Sequence, residues 1–328
     1  MTEKNLVHEL LTKLEEHISG HSFGASPAEL YDPITYIMSL GGKRIRPLLS
    51  LLAYGMYGKN PEEILSQSAA IEVFHNFTLM HDDIMDQAPL RRGKPTVHEK
   101  WNANIAILSG DVMLVRAYDL LLPSPSALLP EVIRLFNKTA AEVCEGQQLD
   151  MNFEGYETVS EEAYIEMIRL KTAVLLGLAL QLGALLAGAS KEDVDRIYSF
   201  GVNIGVGFQL QDDLLDVYAD QAKFGKQVGG DIISNKKTFL LLKALELAKE
   251  KEQQELQHWL GLKDFDKAQK VAAVKGIYEQ LGIRSLTEQK MQTYFKEGFR
   301  QLEGLQITSK TYSQALLAVT QELMHREK

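Results

Sequence analysis

Apolar positions recur at i, i+3 and i+4 along most of the chain, which is the period of one helix face. The runs NLVHELLTKLEEHI (5–18), AELYDPITYIMSL (28–40), PEEILSQSAAIEVFHNFTLMHDDIMD (61–86) and TYSQALLAVTQELM (311–324) all follow it. No run alternates over four or more residues between turn signals, so strands are expected to be absent or minor. Gly41-Gly42, Pro47, Gly58, Pro89, Gly93, Pro95 and Pro123-Ser124-Pro125 fall between the helical runs as punctuation. One helix can be placed closely. Asn60 suits an N-cap, Pro61 the first helical position, and Glu63 completes a capping box. No breaker follows until Pro89, so this helix is predicted over 61–87, about 40 Å long at ~1.5 Å per residue. The longest irregular stretch is 220–235, rich in glycine and flanked by lysines. A loop of that length inside a compact domain is usually functional or mobile.

The periodicity predicts one large all-α domain, 1–328, a bundle of about a dozen helices. At 328 residues, 45% hydrophobic, the chain can bury a large core. The apolar tract AVLLGLALQLGALLAGA (173–189) is interrupted by Gln181 and rich in small residues. It reads as a core helix, and no apolar run reaches the roughly 20 residues that span a bilayer. A net charge of −9 gives a nucleic-acid partner no bulk electrostatic support. The single cysteine, Cys144, excludes an internal disulfide and reads as a small buried hydrophobe of a helix. The amino terminus is amphipathic and acidic, unlike an export signal, so the cytoplasm is the expected compartment.

The chemistry concentrates in two stretches. In LMHDDIMDQAPLRRG, Asp82 and Asp86 stand at i and i+4, one turn apart on one helix face, with Asp83 about 100° round. Like charges at that spacing destabilise a helix, and the macrodipole disfavours anions at its C-terminal end. Breaking two local rules at once marks a functional site. GFQLQDDLLDVY repeats the spacing with Asp212, Asp213 and Asp216 among apolar neighbours, where charges need partners. Two such helices facing each other would build a multi-metal site, and Mg²⁺ takes one or two carboxylates together with water and phosphate oxygens. The cations suggest what the metals hold. Lys43, Arg44 and Arg46 follow a double glycine, Arg91 and Arg92 follow the first acid cluster, and Lys171, Lys226, Lys236 and Lys237 lie in polar contexts. Together they fit two phosphate groups, one bridged by metal and one gripped directly. His75 lies two turns before Asp82 on the same face. Nothing resembles a P-loop, a dinucleotide fingerprint or a nucleophile triad.

These motifs, in this order, resemble the trans-isoprenyl diphosphate synthases, or polyprenyl synthetases. GGKRIRP, EVFHNFTLMHDDIMDQAPLRRGKPTVH, GQQLD, LKT, GFQLQDDLLD, GKQVGGD and NKKT cover most of the chain. The resemblance implies a helical bundle around a central cavity, working as a homodimer. It implies three Mg²⁺ ions held on an allylic diphosphate by Asp82, Asp86 and Asp212, with Asp83, Asp213 and Asp216 in support. It places Arg91, Lys171 and Lys226 on that diphosphate, and Lys43, Arg46, His75 and Arg92 on isopentenyl diphosphate. Thr172 and Gln209 would face the developing allylic cation, and Lys236 the metal-bound waters. The implied reaction ionises the allylic diphosphate, condenses it with isopentenyl diphosphate and eliminates a proton, with the 220–235 loop as a lid over a dry site.

Product length turns, by the same resemblance, on the fourth and fifth positions before the first aspartate, Thr78 and Phe77. Bulk at Phe77 and the lack of a two-residue insertion between the aspartates favour a C20 product over C15. On an ideal helix Thr78 shares the face of Asp82, whereas Phe77 is about 140° away. Phe74, deeper on the helix, is a second candidate wall. Two rivals remain: a terpene cyclase of the same fold, which replaces the second aspartate motif, and a silent partner subunit, which should have lost one cluster.

Overall fold

The computed structural model describes residues 2–219 and 229–324. The helical periodicity is realised almost throughout. The first run becomes α1 (Glu3–Gly20), begun by Thr2, whose Oγ1 accepts from Asn5 N, and packed through Leu6, Leu10, Leu14 and Ile18 at every fourth position. There follow α2 (Ala28–Ser39), α3 (Ile45–Met56), a 3₁₀ turn (Pro61–Ile64), α4 (Leu65–Met85), a hairpin of β1 (Leu90–Arg91) and β2 (Lys94–Pro95), α5 (Val97–Lys100), α6 (Ala103–Leu121) and α7 (Leu129–Glu154). Next come α8 (Glu161–Ile168), a π turn (Arg169–Ala173), α9 (Val174–Leu186) and α10 (Lys191–Tyr218). The chain closes with α11 (Gly230–Ile233), α12 (Phe239–Leu247), α13 (Glu250–Gly261), α14 (Lys267–Gln280), α15 (Ile283–Leu302) and α16 (Lys310–Met324). Strands are minor, as the lack of alternation predicted.

The fold gathers into two compact units. The first comprises residues to Thr139, Leu175–Tyr198 and Gly304–Ala318; the second comprises Ala140–Val174, Ser199–Glu303 and the chain from Val319. In the first, α4 packs on α3 and α6, and α1 lies against α3 and α4. Leu14, Ile34, Leu51, Leu52 and Ile71 are wholly buried there. In the second, α15 packs on α12 and α14, around Phe200, Leu240, Ile283 and Phe295. Burying each such side chain contributes about 1.5–3 kcal/mol. The units interleave along the chain, because α7, α10 and α16 each give residues to both.

Three expectations are corrected. The helix of the first aspartate cluster begins as a 3₁₀ turn, with no capping box. Asn60 Oδ1 accepts from Glu62 N, while Glu63 accepts from the Tyr54 hydroxyl at 2.6 Å. Its end comes at Met85, before Pro89 acts. Gln87 takes a left-handed φ of 50°, Ala88 N donates to Asp83 O at 2.9 Å and Gln87 N to Ile84 O at 3.2 Å. That is a Schellman closure built on glutamine instead of glycine. Cys144, expected inside, is exposed on α7.

The apolar tract lies in α9. The continuous helical run Glu161–Leu186 is long and apolar enough to cross a bilayer, but 78% of its apolar window is buried by the protein itself, as in a core helix.

Candidate active site

In the first unit, the double glycine and the hairpin build one basic site together. Arg92 and Gly93, with φ of 53° and 74°, form the two-residue turn between β1 and β2. Left-handed residues are what a two-residue hairpin requires, although arginine adopts that conformation at a cost. The Arg92 guanidinium lies against Gly42 (φ 147°), where a Cβ would stand 2.9 Å from Nη2. The φ of 147° is what favours glycine at this position, and its missing Cβ leaves the guanidinium room to approach. Arg46, in the first turn of α3, places Nη1 3.1 Å from Nε2 of His75 on α4. Loss of water around the imidazole, then the charges of Arg46, Arg92, Arg91 and Arg44, hold its pKa well below the usual histidine range. The ring is thus neutral, with Nε2 accepting from Arg46. Lys43 is exposed on the loop before α3. Arg44, the middle cation of the motif, is a strut. It is buried, it donates to Glu15 and Glu72 at 2.8 Å each and to Met38 O at 2.9 Å, and it takes a left-handed φ of 47°.

The acids stand at the C-terminal end of α4. Asp82 is in the last turn and Asp86 is the exposed C-cap, one turn on. Asp83 is buried, and Arg91 forks onto it, Nε to Oδ2 at 2.8 Å and Nη2 to Oδ1 at 2.7 Å. Of the residues expected to set product length, Phe74 and Phe77 are buried and Thr78 is half-buried. Phe77 lies tilted against Phe74 (5.6 Å) and edge-on to His81 (4.8 Å), and Phe74 meets Phe136 edge-on at 5.1 Å. The hydroxyl of Thr78 turns back to His75 O at 2.8 Å.

In the second unit, α8 and α9 are joined by the π turn that carries Lys171 and Thr172. Such wide turns re-aim side chains and recur at functional sites. Gly146 of GQQLD allows the turn to approach α7, since a Cβ there would stand 2.2 Å from Lys171 N. Lys171 Nζ donates to Asp150 of the same motif at 2.6 Å. Thr172 Oγ1 donates to Gln209 Oε1, and Gln209 Nε2 to Asp213 Oδ1, each at 3.2 Å. Tyr164, wholly buried, donates its hydroxyl to Asp213 Oδ2. Asp216 Oδ2 accepts from Asp231 N at 3.0 Å, and its carbonyl from Gly229 N, which ties α11 to the end of α10. Burial, then Asp231, pushes Asp213 up to about 7, against the donors Tyr164 and Gln209 and the charge of Lys236. Burial pushes Asp231 up to about 6; Lys236 opposes this, and Asp216, Asp150 and Asp212 reinforce it. Lys236 is exposed just past α11. Lys226 and most of the expected lid, 220–228, lie outside the described residues, and 230–233 of the expected loop is helical.

The donor set suits a hard cation. Every candidate ligand is a carboxylate oxygen, the donor that Mg²⁺ takes together with water and phosphate oxygens; among the described residues no three His, Cys, Asp or Glu side chains converge. The sequence reading missed Gly146, Asp150, Tyr164 and Asp231. GQQLD and GGD pointed to three of them; Tyr164 had no local signal. Four of the five non-glycine residues with positive φ among the described residues, Arg44, Gln87, Arg92 and Asn235, flank segments bearing candidate site residues. Backbone strain of that kind gathers at functional sites.

Comparison with known proteins identifies relatives of the chain. The sequence profile of the polyprenyl synthetase family matches residues 27–280. The geranylgeranyl diphosphate synthase of Sulfolobus acidocaldarius is 39% identical over 267 residues, 80% of this chain and 81% of that protein. The farnesyl diphosphate synthase of Bacillus subtilis is 37% identical over 235 residues, 69% of this chain and 79% of that protein. A crystal structure of a geranylgeranyl pyrophosphate synthase superposes with a TM-score of 0.91 at 43% identity, covering 100% of both chains.

Proposed function

The chain belongs to the polyprenyl synthetase family, and on that premise we propose that this trans-prenyltransferase condenses isopentenyl diphosphate with dimethylallyl, geranyl or farnesyl diphosphate to give a short-chain trans-prenyl diphosphate, C20 ahead of C15. One observation carries the reading: α4 bears both Asp82 and Asp86, suited to metal, and, two turns earlier, His75 within a cluster of Arg46 and Arg92 suited to a bare diphosphate.

The roles follow from that division. Asp82, Asp86 and Asp212 would hold Mg²⁺, three ions in all, with Asp83, Asp213 and Asp216 in support. When bound, the metal supplies positive charge to the departing diphosphate. Arg91, Lys171 and Lys226 grip the allylic diphosphate and stabilise its charge as the C–O bond breaks. Lys43, Arg46 and Arg92 hold isopentenyl diphosphate, and neutral His75 adds its remaining N–H. The isopentenyl double bond then attacks the allylic carbon, and the adjacent carbon gives a proton to the released diphosphate. Thr172 and Gln209 turn oxygen dipoles towards the developing cation, and Lys236 would lie near water at the metal when it is bound. The whole chain, 1–328, is read as one synthase domain.

We place the enzyme in the cytoplasm as a homodimer. Leu108 and Val115 of α6 and Leu122 at its C-cap recur every seventh residue and are 57–58% exposed, beside exposed Ile107. An apolar seam at that spacing is suited to pairing with a second helix. Sedimentation equilibrium showing a monomer at working concentration would remove this claim.

The test of function is direct. Purified full chain with Mg²⁺, isopentenyl diphosphate and each primer in turn should yield a C20 diphosphate, identified by chromatography against prenyl standards. No elongation from any primer overturns the reading. Phe77→Ala opens the aromatic stack and should lengthen the product; an unchanged product moves the wall elsewhere.

A further inference from the structure

Asp83 belongs to the aspartate motif by sequence, yet its geometry differs from that of a metal ligand. It lies about 100° round α4 from Asp82. Its side chain is 3% exposed, and both carboxylate oxygens are engaged by one guanidinium, at 2.8 and 2.7 Å. Its backbone carbonyl is engaged as well, by Ala88 N at 2.9 Å. Asp83 therefore fixes both ends of the short excursion from α4 to Arg91: the backbone turn through its carbonyl, the side chain through its carboxylate. The fork consumes two of the five guanidinium N–H groups and leaves three. Arg91 starts from a two-residue strand, where a long side chain has wide rotamer freedom. A buried carboxylate fork removes that freedom and sets the plane of the ring of donors. Among the described residues, the equivalent residue of the second cluster, Asp213, accepts from the neutral donors Tyr164 and Gln209.

We propose that Asp83 is a positioning residue: its fork orients Arg91 so that the remaining N–H groups face the metal-bound diphosphate of the allylic substrate, and it does not bind the metal. The identity of that anion rests on the prenyl-transfer reading; the coupling of Asp83 to Arg91 does not.

The test is a double-mutant cycle on the full chain, read by calorimetric titration with inorganic pyrophosphate in the presence and absence of Mg²⁺. Asp83→Asn and Arg91→Lys should each weaken the Mg²⁺-dependent binding about tenfold, and the double variant should bind no worse than the weaker single one. Asp83→Asn should leave the Mg²⁺ concentration at half-saturation within about twofold of wild type, whereas Asp82→Asn should raise it well beyond that. In turnover, Asp83→Asn should raise KM for the allylic primer and spare KM for isopentenyl diphosphate. If Asp83→Asn does not fold, Asp83→Glu, which keeps the charge and displaces the fork, carries the same expectations. Additive losses in the cycle, or a metal shift in the Asp83 variant equal to that of Asp82→Asn, overturn the proposal. A wild-type chain that binds Mg²⁺ and pyrophosphate but elongates no primer sinks the prenyl-transfer reading and leaves the Asp83–Arg91 coupling standing. Failure to bind pyrophosphate at all sinks both.

Discussion

The two aspartate clusters have the same spelling and different surroundings. Both place three acids near the C-terminal end of a long helix, where the dipole disfavours them. At α4 the buried middle acid, Asp83, is compensated by a full charge, the Arg91 fork. At α10 the buried middle acid, Asp213, accepts, among the described residues, from the hydroxyl of Tyr164 and the amide of Gln209, with the charge of Lys236 acting without a fork, and burial pushes its pKa up to about 7. The last acids sit differently too: Asp86 is the exposed C-cap of its helix, and Asp216, half-buried, accepts from the backbone N–H of Asp231. Identical spacing thus fixes where carboxylates point along a helix, but not how each buried charge is satisfied. The partner arrives from elsewhere in the chain.

Three measurements break or sharpen that contrast. The largest effect concerns what the clusters share. Asp82→Ala and Asp212→Ala should each lower kcat/KM by about a thousandfold or more while circular dichroism stays native. Near-normal turnover in either removes that cluster from the metal assignment.

The second concerns what they do not share. Asp83→Asn leaves a partly buried guanidinium uncompensated and should cost about 3–5 kcal/mol in urea unfolding. Asp213→Asn exchanges neutral hydrogen bonds for others and should cost about 1 kcal/mol. Equal losses would mean that the two middle acids are held alike after all.

The smallest effect probes the basic cluster at the middle of α4. The native His75 pKa is depressed, first by desolvation and then by Arg46, Arg92, Arg91 and Arg44. Above the unfolded value, about 6.5, both states are neutral and the residue is indifferent to pH. Below it the unfolded chain takes up a proton that the native ring resists, so stability is lost as pH falls. Urea midpoints should drop between about pH 7.5 and 5.5 by more in wild type than in His75→Gln. Parallel profiles would show that the ring is not held neutral.

Much of the site was legible in the sequence, because helix periodicity converts spacing into direction. Asp82 with Asp86, and His75 two turns earlier, needed nothing more. The helix end was harder to read. Pro89 was a visible stop, but Gln87 closed the helix first, and glutamine carries no signal for a left-handed residue. Tyr164 was invisible for a similar reason. It is 49 residues from Asp213, and an aromatic at a core position of α8 looks like any other. Cys144 was misplaced because burial of one helix face depends on which neighbours cover it.

The sequence by itself determined the helical class, the two carboxylate pairs and the basic segments, since these depend on local period and residue chemistry. Tertiary structure alone decided which cation serves which acid: Arg44 as a strut for Glu15 and Glu72, Arg91 for Asp83, Lys171 for Asp150. An ion pair forms where packing brings two chain segments within about 3 Å, and that distance is set by the buried core rather than by either residue.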